Sequence, residues 1–411
     1  MRAIIHGKGS VYRGNGGVGK GGAVVAPASR PSAQARPTFR DGGSDPAMMK
    51  RRPVGVEEEF LVVDLQSRRL TPLAESMLER LPDEGFSAEL QRSVVETNST
   101  PMEDLSDVRA EIVRLRQALV AAGEPLGVGV IAAGTTPNTG IEGYTFTPGE
   151  RYRYLSESYR FLAEEQLICG AQVHVEIDDR DVAVLAAQRV EAWLPPLLAL
   201  SASSPFWMNE DSGYASSRAL TWQRWPTAGP LGPFADASEY DRTAEDLVAS
   251  GVIKDAGMIY YDLRLSAHVP TVEMRVCDSC PLADDVVLLA GLFRALMSRE
   301  IEAVERGEPP VGEQRLALLR AANWRAARDG LEGELMSPVT SRPAPAPRLV
   351  TWMLEELRPT LEELGDWEIV SELANEALLR GSSASRQRGA YAVNGRAEDA
   401  VDLLLAETRQ S

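Results

Sequence analysis

Carboxylates recur at alternate positions in separate stretches of this chain. In VGVEEEFLVVD, Glu57 and Glu59 are spaced two apart; Glu96 lies within SVVETNS, and Glu273 and Arg275 within TVEMRVC. CGAQVHVEID places Gln172, His174 and Glu176 at the same spacing. Successive side chains of a strand point to opposite faces. Each stretch therefore has an apolar face, such as Val173, Val175 and Ile177, and a face of acids, His, Gln or Arg. A solvated sheet face explains any one of them. Repeated Glu at i and i+2 is different, because like charges that close repel unless a cation sits among them. Magnesium takes oxygen ligands and commonly bridges a few carboxylates and substrate phosphates. With Arg275 beside Glu273, the set reads as equipment for phosphoryl transfer.

The elements that must position these residues are legible in outline. Val54–Asp64, Glu89–Ser99, Cys169–Asp178 and Tyr260–Asp278, the last broken at Pro270, read as strands. Glu103–Ala122 is an amphipathic helix, with Leu105, Val108, Ile112, Leu115 and Leu119 on one stripe. Helical patterns follow at Asp284–Arg306, Glu313–Arg328, Arg348–Leu364, Trp367–Arg380 and Ala397–Arg409, with a Pro-rich connector at Ser337–Pro347. Early strands and late helices predict an α+β fold. Its sheet is mainly antiparallel, with helices packed on one face and the polar concave face forming the active site.

Composition narrows the function. Residues 1–47 carry a net +5 and the remaining chain −22, with Lys50 and Lys254 its only lysines. Such a body repels nucleic acid and anionic membrane, and any phosphate it binds must be held by Arg, backbone N–H groups or metal. No apolar run approaches the length of a membrane span, and no signal-peptide core is present; a cytoplasmic protein is expected. Cys169, Cys277 and Cys280 form neither a disulfide framework nor a complete zinc site. Residues 1–47 read as a basic disordered tail of the kind an upstream start site would add. Residues 48–411 read as one catalytic domain. The tail's GNGGVGKG imitates a phosphate loop but lacks the Ser or Thr, the strand before it and the helix after it.

At these residues the chain resembles the type 2 glutamate–cysteine ligases, or carboxylate–amine ligases, whose fold is similar to the catalytic domain of glutamine synthetase. The matching stretches are GVEEEFLVVD, VVETNSTP, CGAQVHVEIDDRD, SASSPFWMNEDSGYASSRALTWQRWPTAGP, DLRLSAHVPTVEMRVCD, NWRAARDGL and ASRQR. The resemblance implies ATP and Mg²⁺ as cofactors, with glutamate and an amine such as cysteine as substrates; a homo-oligomer is left open. It implies Glu57, Glu59, Glu96 and Glu273 as metal ligands, with Glu89 secondary. It places Arg275 on the phosphoryl group and His174 near the ATP phosphates. The family usually reads CGMHVHVG; here Gln172 stands where the first His completes a magnesium site, and Glu176 replaces the last Gly. Gln172 is taken as the ligand at that position, with Glu176 as a further oxygen.

Other candidates are Arg264 as a second catalytic residue, Arg325 for ATP phosphate, and Arg218 and Tyr214 for substrate. Arg224, His268 and Arg328 are weaker, and Arg386 and Arg388 sit in what reads as a loop entering the site. Tyr152, Tyr154 and Tyr159 read as packing before pocket lining. Two rivals share the same equipment: a small-molecule phosphotransferase, and a nucleotide-binding protein that has lost its chemistry. Gln172 keeps the second one open.

Overall fold

Val and Phe alternating with Glu through residues 54–60 favour a pleated strand half-buried on one side, and this strand becomes the hub of the molecule. The computed structural model describes residues 49–140 and 145–410; the expectations for residues 1–47 lie outside them. The main sheet has seven strands. They are β1 (Val54–Asp64), β2 (Phe86–Ala88), β3 (Val94–Asn98), β4 (Val128–Ile131) and β5 (Ala171–Glu176), then β8 (Leu263–Leu265) and β9 (Thr271–Met274). Between β5 and β8 lies a separate hairpin, β6 (Phe206–Trp207) and β7 (Glu210–Asp211). The order is β2-β3-β1-β5-β9-β8, with β4 paired to the second half of β1, and every pairing is antiparallel.

Register decides which side chains meet. Glu59 stands opposite Glu96, Glu57 opposite Gln172, His174 opposite Glu273, and Glu273 opposite Arg264. Directly opposed residues share a face, so all of them, with Arg275, lie on one surface of the sheet. A slip of one residue would send a strand's whole set into the core.

The other face is apolar and covered by helices. Val54, Val56, Val173, Val175, Val272 and Met274 are buried in one cluster with side chains of the helices Leu105–Gly123, Arg180–Val190 and Ala283–Glu305. The Arg180 helix starts where Asp179 accepts hydrogen bonds from Asp181 N and Val182 N, capping its first turn directly after β5. A buried ion pair sits among the apolar groups. Glu58 is buried, and Arg116 of the Leu105 helix, also buried, bonds both of its oxygens at 2.5 and 3.2 Å. Arg116 also donates to the carbonyls of Cys280 and Pro281, each at 2.7 Å. One guanidinium thus ties the middle of β1 to the chain just beyond β9.

Some local readings change. The SASRQR segment is no loop but part of a helix, Ser383–Asn394, whose first turn Ser382 caps through Ser385 N. The Pro-rich connector includes β11 (Pro343–Pro345), paired with β10 (Glu334–Met336). The second expected strand is shorter, because Glu89–Ser93 forms the link between β2 and β3. No helix among the described residues is long and apolar enough to cross a membrane.

Removing one partner of a buried ion pair strands the other charge. Arg116→Met should cost about 3–5 kcal/mol of unfolding free energy, whereas Glu58→Leu combined with Arg116→Met should recover most of it. Denaturant midpoints measure this, and equal loss in the single and double variants would refute the pairing argument.

Candidate active site

The polar face of the sheet floors a cavity of about 240 Å³. Glu57, Glu59, Glu96, Gln172, Arg218, Arg264 and Arg275 line it, together with Glu89. Four aromatic side chains also line it: Tyr152, Trp222, Trp225 and Tyr260. The Trp222 and Tyr260 rings pack at a tilt with centroids 4.9 Å apart, and the Arg275 guanidinium lies 5.3 Å from the Trp222 ring centre. Arg218 lies 5.7 Å from the same ring. Such contacts hold a guanidinium in place without neutralising it.

The carboxylates fall into two groups. Glu59, Glu89 and Glu96 gather at one end. Burial first, then the charge of Glu89, raises the Glu59 carboxyl to about 7, against the pull of Arg218, the Gly170 N–H and Arg275. Burial, then Glu89, also pushes Glu96 well up. A divalent cation would offset that repulsion. At the other end one donor atom each from Glu57, His174 and Glu273 lies within 4.8 Å of the other two. Burial alone would raise Glu273, but Arg275 and Arg264 outweigh it and hold its carboxyl at about 2. Arg264 bonds both its oxygens, at 2.7 and 3.2 Å, and Arg275 donates to Oε1. These donors are the hard oxygens that suit magnesium, with one imidazole.

Gln172 does not stand free as a metal ligand. Its Oε1 accepts from Arg275 Nη1 at 2.9 Å, and its Nε2 lies 3.4 Å from Glu59 Oε1. It links the phosphoryl candidate to the acidic group. His174 is found between Glu57 and Glu273 and does not line the main cavity. Glu176 is part-exposed, with Lys50 Nζ 3.9 Å away.

Arg218 reaches the cavity through a buried network. Asp278 accepts from Ser203 N at 2.9 Å, Ser204 Oγ at 2.6 Å and Ser216 Oγ at 2.7 Å, which locks the SASS segment to the start of the Arg218 helix. Arg218 then donates to the carbonyls of Arg275 and Val276. It passes so close over Gly170 that a Cβ there would lie 2.3 Å from its Nη2. Gly170 N also donates to Glu59 at 2.6 Å. The Nε atoms of Arg218 and Arg275 are buried with no hydrogen-bond partner, an arrangement an anion would satisfy.

Other candidates are not brought in. Arg325 pairs with Glu334 at 2.8 Å, and Tyr214 packs edge-on against Trp324; neither lines the cavity. Arg224 pairs with Glu165, Arg328 with Asp329, Arg386 with Glu407 and Arg388 with Asp211. In an acidic chain most Arg finds a local partner, which spacing along a helix does not reveal. His268 is exposed on the link between β8 and β9. Conversely, Arg151, Gln166 and Tyr152 line the cavity. Only the basic-aromatic run RYRY at 151–154 hinted at the first and last of these.

An α+β sheet with this acidic, arginine-bearing face defines a class of protein, and comparison with known proteins agrees. A profile described as glutamate–cysteine ligase family 2 matches residues 53–406. The chain is 53% identical over 358 residues to a Frankia casuarinae protein provisionally named glutamate–cysteine ligase 2-2, covering 87% of this chain and 41% of that one. It is 50% identical to a Mycolicibacterium smegmatis protein of the same provisional name, covering 87% of this chain and 90% of that one. A crystal structure of Francisella tularensis glutamate–cysteine ligase with AMP shares the fold, with a TM-score of 0.67 at 10% identity over 88% of this chain and 89% of that one. A bifunctional glutathione synthetase from Pasteurella multocida does so at 0.65 and 15%, over 87% and 52%. The chain belongs to glutamate–cysteine ligase family 2. It spans less than half the length of the Frankia relative.

The raised Glu59 carboxyl has a consequence for pH. Its folded-state value, about 7, lies above the usual 4.5. Its contribution is therefore fully present below about 4.5 and is lost as pH rises through about 7. Chelator-treated protein should melt at progressively lower temperature across that window. Glu59→Gln should flatten the slope, and Mg²⁺ should restore stability at pH 7.5 more than at pH 5. A slope unchanged in Glu59→Gln would count against this origin. Separately, Gly170→Ala should displace Arg218, visible as a shifted guanidinium in a crystal structure.

Proposed function

We propose that the chain is an ATP- and magnesium-dependent carboxylate–amine ligase that joins the γ-carboxyl of glutamate to cysteine or another amine. The observation that carries this is the meeting, on one sheet face, of carboxylates from three strands with two guanidinium groups whose Nε–H donors are buried and unpaired. Family membership supports the reaction type.

Glu57, Glu59, Glu96 and Glu273 would hold Mg²⁺, which neutralises phosphate charge as the γ-phosphoryl group transfers. Arg275, oriented by Gln172, Glu273 and Trp222, aims its charge at the equatorial oxygens of that group. A carboxylate oxygen of the substrate attacks the γ-phosphorus, the bond to ADP breaks, and an acyl phosphate forms. Arg218 binds a second carboxylate of the same substrate and fixes its orientation. The amine nitrogen then attacks the acyl carbon, phosphate departs with the bonding pair, and the nitrogen gives up a proton. The wall of Tyr152, Trp222, Trp225 and Tyr260 keeps water from the acyl phosphate.

The test is ADP release by the purified chain with glutamate, against cysteine and a panel of amines. Amide formation that requires both partners is expected, with Glu57→Ala and Arg275→Ala each at least about 100-fold slower, the scale seen when one preorganised charge-stabilising group is removed. ADP release that never needs an amine would instead identify a phosphotransferase. Tight ATP binding without turnover across the panel would identify a protein that only holds nucleotide.

A further inference from the structure

A groove of about 740 Å³ is lined by the β10–β11 hairpin and the helix Ala346–Leu364, and none of its residues lines the candidate active site. Val339, Arg342, Pro343, Arg348, Trp352 and Glu355 shape it. Val339 is 52% exposed. Val311, 55% exposed, lies on the neighbouring segment, where the Glu313 N–H donates to the Pro338 carbonyl at 2.8 Å. Exposed apolar side chains gathered in one place mark an interaction surface. Trp352 is braced, because its ring stacks on buried Trp193 with centroids 5.0 Å apart and planes at 28°. A rigid aromatic ring of this kind is the residue type that most often anchors an interface.

Charge points to the occupant. Arg342, Arg348 and Glu355 are exposed, and among the described residues none of their charged groups forms an ion pair. Residues 1–47, at a net +5, supply no complement for two guanidinium groups. On the helix, Arg348, Thr351, Trp352 and Glu355 follow i, i+3, i+4 and i+7, so they make one stripe. Arg348 and Glu355 are two turns apart, about 10 Å along the axis, and Trp352 stands between them. A stripe with opposite charges at its ends and an aromatic ring at its middle is complementary to its own copy turned through 180°. Strand addition is not the mode, because Pro343 and Pro345 of β11 have no N–H to donate.

We propose that this face is a two-fold interface between two copies of the chain. The helices Ala346–Leu364 cross antiparallel, Arg348 of each copy pairs with Glu355 of the other, and Trp352 meets Thr351. Val311 and Val339 extend the apolar area, and Arg342 extends the basic end. The apolar and aromatic contacts supply affinity, and the charge pairs fix register and partner.

Analytical ultracentrifugation of the whole purified chain tests this. The wild type should sediment as a dimer. Arg348→Glu and Glu355→Arg should each be monomeric, because each variant sets like charges against one another at both contacts. An equimolar mixture of the two variants should sediment as a dimer again, since the mixed pair restores opposite charges at both. Trp352→Ala should weaken the wild-type dimer at least about 30-fold, the scale of truncating a hot-spot residue. Circular dichroism melts confirm that each variant is folded. A wild type that stays monomeric up to about 0.1 mM, above the dissociation constants of standard-size interfaces, overturns the proposal. So does a dimer unmoved by the charge reversals, or a mixture of the two variants that fails to associate. A monomer that binds a synthetic polyglutamate peptide through Arg342 and Arg348 overturns it as well, and gives the groove to an acidic partner.

Discussion

Electrostatic repulsion between carboxylates that share one sheet face is the constraint around which this structure is arranged. Glu59 and Glu96 face each other across β1 and β3, and burial first, then the charge of nearby Glu89, pushes their carboxyl groups towards the protonated form. A fold that only had to be stable would not collect them there. The energy that holds them comes from elsewhere, chiefly from the apolar reverse of the same strands. Each fully buried Val or Leu there contributes about 1.5–3 kcal/mol. Strand pairing transmits that energy to the polar face, because register fixes both faces at once.

Arginine is the counterweight, and its location separates the two ends of the site. At one end Arg264 and Arg275 close on Glu273 and keep it ionised. At the other, Arg218 and Arg275 only partly offset the burial of Glu59. Behind the sheet Arg116 performs a different task, because it neutralises Glu58 and bonds backbone carbonyls at Cys280 and Pro281. Buried guanidinium groups are expensive unless every donor is used. Arg116 spends donors on two elements, whereas Arg218 and Arg275, which line the cavity, each retain a buried Nε without a hydrogen-bond partner. That difference separates an arginine built to brace from arginines available to a ligand.

Much of the arrangement was legible in the letters. Period-two alternation in VGVEEEFLVVD located β1 to the residue, and the same alternation put Glu57, Glu59, Glu96, Gln172, His174, Glu273 and Arg275 on polar faces. Alternation is a local property of the strand backbone, so it survives folding. The late helices were legible for the same reason, through their apolar stripes. The SASRQR helix was not, because Ser and Gly around it favour loops locally; its helicity is set by packing of Ala384 and Gln387 against the SASS segment.

The sequence by itself determined the composition of each strand face, the family and the kind of chemistry those residues can support. Only tertiary structure decided which faces meet. That Gln172 is bound to Arg275, that His174 stands between Glu57 and Glu273, and that Arg325 and Tyr214 lie off the cavity all depend on pairing register and helix docking. Those are set by contacts between residues scores of positions apart. A side chain's partner across a sheet is fixed by the packing of the whole core, and no local pattern of residues encodes it.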